Sequence, residues 1–201
     1  MIKLVLFDLD GVLIDAKDIH YECLNRALGE YAISREDHIK IYDGYKTRQK
    51  LKMLTEKKGL PLELYNVIYE HKQKYTQQEI LKLKPIPHII ELFEKLKDDG
   101  YLIGVCTNSI RTTAFTALAV SKLIQYCSIV ISNEDVKNGK PHPEMYWNAI
   151  STLNMLPEET VIIEDSVPGL LAAKRSGAKI IQVDNPNDVT IDNIIHKILN
   201  I

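Results

Sequence analysis

Leu4-Val5-Leu6-Phe7-Asp8-Leu9-Asp10-Gly11 is the stretch on which the reading of this chain turns. Four consecutive apolar residues, rather than an alternating set, suit a short strand covered on both faces. In an open α/β sheet, ligands bind beyond the carboxyl ends of the strands, so Asp8 and Asp10 fall where chemistry is expected. Side-chain alternation along extended backbone points the two carboxylates the same way. Two close carboxylates repel, and a dication or a shared proton is the usual remedy. Gly11 lets the chain turn sharply and brings backbone near a ligand. The same residues suit an ordinary strand-ending turn equally well.

Outward from this run, apolar segments recur at Leu102 to Cys106, Ser128 to Ile131, Val161 to Glu164 and Lys179 to Val183. Between them lie stretches of helical period: Pro87 to Lys97, Arg111 to Ile124, Glu144 to Leu153 and Ser166 to Ser176. Lys174, Arg175 and Gly177 supply the charge and the stop expected at a helix C-terminus. Strand and helix in alternation predict an α/β fold, a Rossmann-like parallel sheet with right-handed crossovers and helices on both faces. One region breaks the pattern. From Asp15 to Lys84 no strand is evident, and Tyr21 to Tyr31, Thr47 to Lys57 and Leu62 to Leu81 read as amphipathic helices. This predicts a catalytic core formed by 1–14 and 85–201 and an inserted helical domain at 15–84, with Pro85 and Pro87 marking the return.

Bulk properties restrict the function class mildly. The 201 residues carry 25 basic and 27 acidic side chains, with 45% hydrophobic and 26% charged content. No basic excess points to nucleic acid, and no acidic block points to disorder. Three cysteines without paired spacing argue against a disulfide framework or a structural zinc site. The first apolar run is too short for a signal peptide or a span, so a cytoplasmic protein is expected, without membrane association.

Three more strand ends carry polar chemistry. Val105-Cys106 leads into Thr107-Asn108-Ser109, where hydroxyls and helix N-terminal amides can hold an oxyanion. Simple N-capping by Asn108 or Ser109 explains that triplet alone at least as well. After the third strand comes Gly139-Lys140-Pro141-His142-Pro143, a lysine between stiffened backbone. A solvated loop lysine is the plainer reading, and His142 is assigned no chemistry. Ile162-Ile163 ends in Glu164-Asp165-Ser166, two more carboxylates before a helix. Oxygen-only ligands suit Mg²⁺, although Asp165 or Ser166 could instead cap that helix. What decides is the conjunction: four strand ends bear, in order, a carboxylate pair, a hydroxyl, a lysine and a second carboxylate pair.

Asp8-Leu9-Asp10-Gly11-Val12, Thr107-Asn108-Ser109, Lys140-Pro141-His142-Pro143 and Glu164-Asp165-Ser166-Val167-Pro168-Gly169 together resemble the haloacid dehalogenase-like hydrolase superfamily over essentially the whole chain. The likeness is to the branch with a helical cap after the first strand, which includes β-phosphoglucomutase and phosphoglycolate phosphatase. That resemblance implies Asp8 as a nucleophile that becomes a phospho-aspartate, and Asp10 as general acid and base. It implies that Thr107, Asn108 and Lys140 hold the phosphoryl group. Mg²⁺ would be ligated by Asp8, the Asp10 carbonyl, Asp165 and, directly or at one remove, Glu164. A second aspartate argues against dehalogenation, because a halide needs no proton.

The resemblance also places substrate specificity in the cap. Arg48, in Asp43-Gly44-Tyr45-Lys46-Thr47-Arg48, is expected to grip a second anionic group, and His20 to face the core site. For both, an exposed position on a cap helix is an equal alternative. Ser109 and Arg111 complete the expected specificity set. The related mutases carry a lysine soon after the second motif, where this chain has Ile110 and then Arg111. That difference favours hydrolysis over the mutase alternative; a binding protein without turnover is the third reading. The expected partner is a small phosphorylated metabolite, such as a sugar phosphate, acted on by a monomer or weak homodimer without nucleic acid.

Overall fold

The computed structural model describes all 201 residues. Five strands form one parallel sheet: β1 (Leu4–Phe7), β2 (Leu102–Cys106), β3 (Ile129–Ile131), β4 (Thr160–Glu164) and β5 (Lys179–Gln182), in the order β3-β2-β1-β4-β5. β1 is central and every residue in it is buried, as its unbroken apolar run predicts. The chain leaves β1, fills one side of the sheet through β2 and β3, then crosses to β4 on the other side. The strand order therefore reverses between β1 and β4, the kind of place where α/β sheets open a crevice.

Register sets the site. Phe7 lies opposite Val105 of β2 and Ile163 of β4. The next residues, Asp8, Cys106-Thr107 and Glu164-Asp165, therefore emerge together at one edge of the sheet. Backbone bonds carry the pairing one residue further, from Asp8 N–H to the Ile163 carbonyl (3.0 Å) and from Thr107 N–H to the Ile131 carbonyl (2.9 Å).

The helices of the core are α5 (Pro87–Asp98), α6 (Arg111–Val120), α7 (Glu144–Thr152), α8 (Val167–Ser176) and α9 (Ile191–Leu199). Alternation along the strands divides the core in two. Val5, Phe7, Ile103, Val105, Val161 and Ile163 pack against the buried faces of α5, α6 and α9. Leu4, Leu6, Cys106 and Ile162 pack against α7 and α8. Helix ends follow their local chemistry. Pro87 begins α5, the Ser166 hydroxyl caps α8 by accepting from Gly169 N–H, and Gly177 closes α8 in the left-handed region. α6 stops at Val120, four residues before the periodicity predicts, because Lys122 turns left-handed (φ 59°) and a short 3₁₀ turn follows at Ile124–Tyr126.

Between β1 and α5 no strand occurs. This segment holds α1 (Lys17–Leu28), α2 (Arg35–Asp37, continued by a π turn over His38–Tyr42), α3 (Thr47–Lys58) and α4 (Tyr65–Ile80). It has an apolar cluster of its own, with Leu24, Leu28, Tyr42, Leu51, Leu54 and Ile68 among its buried members. The buried stripe of α4 is Ile68, Lys72, Thr76 and Ile80, at helical spacing but half polar. No helix of the protein is long and apolar enough to cross a membrane.

Candidate active site

The sheet edge and the helical segment enclose one polar cavity, lined by both. At its floor, Lys140 is almost wholly buried and its ammonium donates to Asp8 Oδ1 (2.6 Å) and Glu164 Oε1 (2.5 Å). The buried Tyr146 hydroxyl donates to the same Glu164 oxygen (2.9 Å). Glu164 Oε2 accepts from the backbone N–H groups of Asp165 (3.0 Å) and Ser166 (3.2 Å), which fixes the turn into α8. Gly169 is required there, because any Cβ would overlap the Glu164 carboxylate. Both Glu164 oxygens are thus already engaged, and its evident work is to hold Lys140.

Burial sets these charges against one another. Burial would lower the Lys140 pKa, but Asp8 and Glu164 outweigh it and hold the ammonium charged well above its ordinary value. Asp8 is pushed up, mostly by burial, and Glu164, Asp165 and Asp10 add repulsion that Lys140 only partly offsets. Asp165 is raised to about 6 by burial and by Glu164. One oxygen from each of Asp8, Glu164 and Asp165 lies within 4.8 Å of the others. Asp165 Oδ1 is buried and accepts no hydrogen bond, while Oδ2 pairs with Lys17 Nζ at 2.6 Å. Gly11 (φ 93°) passes so close that a side chain there would collide with Asp165 and Lys17. Crowded carboxylates, with Asp165 Oδ1 unsatisfied and no soft ligand, fit a hard dication such as Mg²⁺.

Asp10 occupies a different setting. Its side chain turns away from the acidic cluster and accepts from Ser109 Oγ (2.7 Å) and Thr107 Oγ1 (3.5 Å) on Oδ2, and meets His20 Nε2 on Oδ1 (2.8 Å). Only its carbonyl remains for a metal. The Lys72 ammonium lies 3.2 Å from His20 Nδ1. An ammonium can only donate, so Nδ1 accepts and the proton of neutral His20 sits on Nε2, directed at Asp10. Burial lowers the His20 pKa, in keeping with that neutral form. For Asp10, burial raises the pKa, but His20, Ser109 and Lys72 together prevail and hold it below the carboxylate range.

The structure brings Asp8, Asp10, His20, Thr107, Asn108, Ser109 and Lys140 to the cavity, with Glu164 and Asp165 directly behind it. Asn108 uses its side chain on backbone: Nδ2 donates to the Gly44 carbonyl (2.7 Å) and Oδ1 accepts from Lys140 N–H (3.0 Å). It ties the helical segment to the Lys140 loop, and only its backbone amide is left for an anion. Two expected residues are not at the cavity. Arg48 lies on the outer face of α3, over the Tyr69 ring (4.5 Å) and donating to Asn66 (3.3 Å). Arg111 is exposed and pairs with Asp135, while Ile110 faces the cavity in its place. Conversely, Lys50 and Lys72 line the cavity although the motifs gave no sign of them. The one available signal was a lysine within an otherwise buried helical stripe.

Comparison with known proteins agrees with this geometry. Residues 5–183 match the haloacid dehalogenase-like hydrolase profile. The chain is 31% identical over 178 residues to the phosphorylated carbohydrates phosphatase of Thermotoga maritima, covering 86% of this chain and 81% of that one. It is 30% identical over 182 residues to the pyrophosphatase PpaX of Anoxybacillus flavithermus, covering 89% and 81%. In fold it resembles the β-phosphoglucomutase of Clostridium difficile, with a TM-score of 0.86 and 22% identity over 100% of this chain and 98% of that one. With its strand-end motifs assembled on the matching sheet, the chain belongs to the haloacid dehalogenase-like hydrolase family.

Proposed function

We propose that the protein is a Mg²⁺-dependent phosphatase acting on a small phosphomonoester, sugar phosphates foremost, through a phospho-aspartate on Asp8. The observation that carries this reading is the placement of two neighbouring carboxylates: Asp8 is held by Lys140 within the Glu164–Asp165 cluster, and Asp10 is turned out to Ser109 and His20. Two carboxylates in such different surroundings can take distinct nucleophilic and acid–base roles. The phosphatase names of the two relatives at about 30% identity support the same class.

In this reading Asp8 attacks phosphorus and forms an acyl phosphate as the ester oxygen leaves. Asp10 gives that oxygen its proton, then takes one from the water that cleaves the acyl phosphate. The substrate-free site holds Asp10 ionised, which suits the second step. A phosphate dianion beside it opposes that ionisation and favours proton uptake before the first. His20 and Ser109 keep the Asp10 carboxylate aimed during both. Lys140, Thr107 and the Asn108 amide would take the phosphoryl oxygens. Asp8, Asp165 and the Asp10 carbonyl would hold Mg²⁺, which supplies charge neutralisation for the approaching anions. Residues 15–84 would serve as a cap that closes the cavity and excludes bulk water.

The test is phosphate release from a panel of phosphomonoesters with and without Mg²⁺. Turnover that requires the metal, with a phosphorylated Asp8 peptide found after acid quench, is the expected result. Full activity in Asp8→Asn would overturn the mechanism. Isomerisation of a sugar phosphate without phosphate release would move the assignment to a mutase.

A further inference from the structure

Lys50 has no directly bonded counter-charge; Asp43 and Asp10 act on it only from further off. It is 7% exposed, lines the cavity, and its ammonium makes no hydrogen bond and no ion pair. It also stands in the first turn of α3, where the helix dipole is positive and a cation is disfavoured. The α3 N-terminus has no side-chain cap, so its first amides, beginning with Thr47 at the cavity wall, are without an acceptor from that source. Across the cavity, Lys72 is equally buried, and its single hydrogen bond is to a neutral imidazole nitrogen. Each ammonium is disfavoured by burial, which Asp43 and Asp10 offset only in part for Lys50 and Asp10 only in part for Lys72, and Lys50 further disfavours Lys72. Lys140, by contrast, has two carboxylate partners. Two buried ammoniums and an uncapped helix start, all facing one cavity, are without a directly bonded anion.

We propose that Lys50, Lys72 and the N-terminus of α3 form a second anion subsite, which selects substrates carrying a carboxylate or a second phosphate on the leaving group. This rests on the phosphatase reading above and narrows its substrate class to phosphomonoesters with two anionic ends. The transferring phosphate would lie at Asp8 and Lys140 on the sheet, and the second anion against the helical segment. Arg48, on the outer face of α3, takes no part.

Steady-state kinetics on matched pairs tests the subsite: glycerol 3-phosphate against 3-phosphoglycerate, and fructose 6-phosphate against fructose 1,6-bisphosphate. A charge-assisted contact in a buried site predicts a kcat/KM preference of about 10-fold or more for the two-anion member of at least one pair. Lys50→Met should reduce that preference to about threefold or less, and Lys50→Arg should retain it. No preference in the wild type, or a preference unchanged in Lys50→Met, would overturn the subsite while leaving hydrolysis intact. If no ester is hydrolysed, the phosphatase reading fails and the subsite is read by calorimetry on Asp8→Asn. Tighter binding of 3-phosphoglycerate than of glycerol 3-phosphate, lost on adding Lys50→Met, supports it; equal binding overturns it. Sulfate that stimulates glycerol 3-phosphate hydrolysis through Lys50 would assign the subsite to a free anion and overturn its assignment to substrate.

Discussion

Replacing Lys72 by methionine should make the ligand-free protein more stable at neutral pH. Lys72 is 7% exposed, and burial, with Lys50 close by, lowers its pKa from 10.5 to about 8. At about 1.36 kcal/mol per pKa unit, that depression corresponds to a penalty of about 3 kcal/mol on the charged form. Methionine keeps most of the apolar stem but forfeits the bond to His20, worth about 1 kcal/mol. The expected net gain is about 2 kcal/mol, or about 4 to 8 °C in Tm for a chain of this size. The pH dependence has a definite sign. Below about pH 8 the lysine is charged in both folded and unfolded chains, and the penalty is constant. As pH rises from there toward 10.5, the folded chain releases this proton first, so wild-type stability rises relative to the variant. The assay is urea unfolding of both proteins at closely spaced pH values without ligand. Parallel stability profiles across that window, or a destabilised variant at pH 7, would refute the reasoning.

Three further outcomes follow from the same geometry. Gly169→Ala places a methyl on the Glu164 carboxylate and should cost about 1 to 3 kcal/mol by thermal or urea unfolding, against the usual gain for this change in a helix. Ser109→Ala removes a donor that holds Asp10 down, so the descending alkaline limb of the kcat/KM profile, where Asp10 lacks the proton it gives in the first step, should move to higher pH. Tyr146→Phe deletes one of two donors to Glu164 Oε1 and should lower stability by about 1 kcal/mol, with Lys140 retaining its carboxylates.

The strand-end chemistry was legible because it is local. Asp8, Thr107, Lys140 and Glu164-Asp165 each announce themselves within a few residues of an apolar run or a proline pair, and parallel strands bring all their carboxyl ends to one edge. Strand identity needed only composition. Strand order did not follow from it, since the β1–β4 pairing joins residues 156 positions apart in the chain through contacts that leave no local trace. Glu164 shows the same divide: its place was readable, but its engagement by Lys140, Tyr146 and two amides was not.

The helical segment marks the boundary most clearly. Sequence alone determined that it is helical and that it follows β1, and the one cation it offered for the site was Arg48. It did not determine which cations face inward. Successive helix residues are turned by about 100°, so Arg48 and Lys50 point to nearly opposite sides of α3, and an error of two positions in helical phase exchanges them. Lys72 meets His20 from 52 residues away. Only the packing of α1, α3 and α4 over the sheet edge fixed that phase. It sent Arg48 to the surface beside Tyr69 and left Lys50 and Lys72 buried, because burial is decided by which faces neighbouring helices cover rather than by the charge a residue carries.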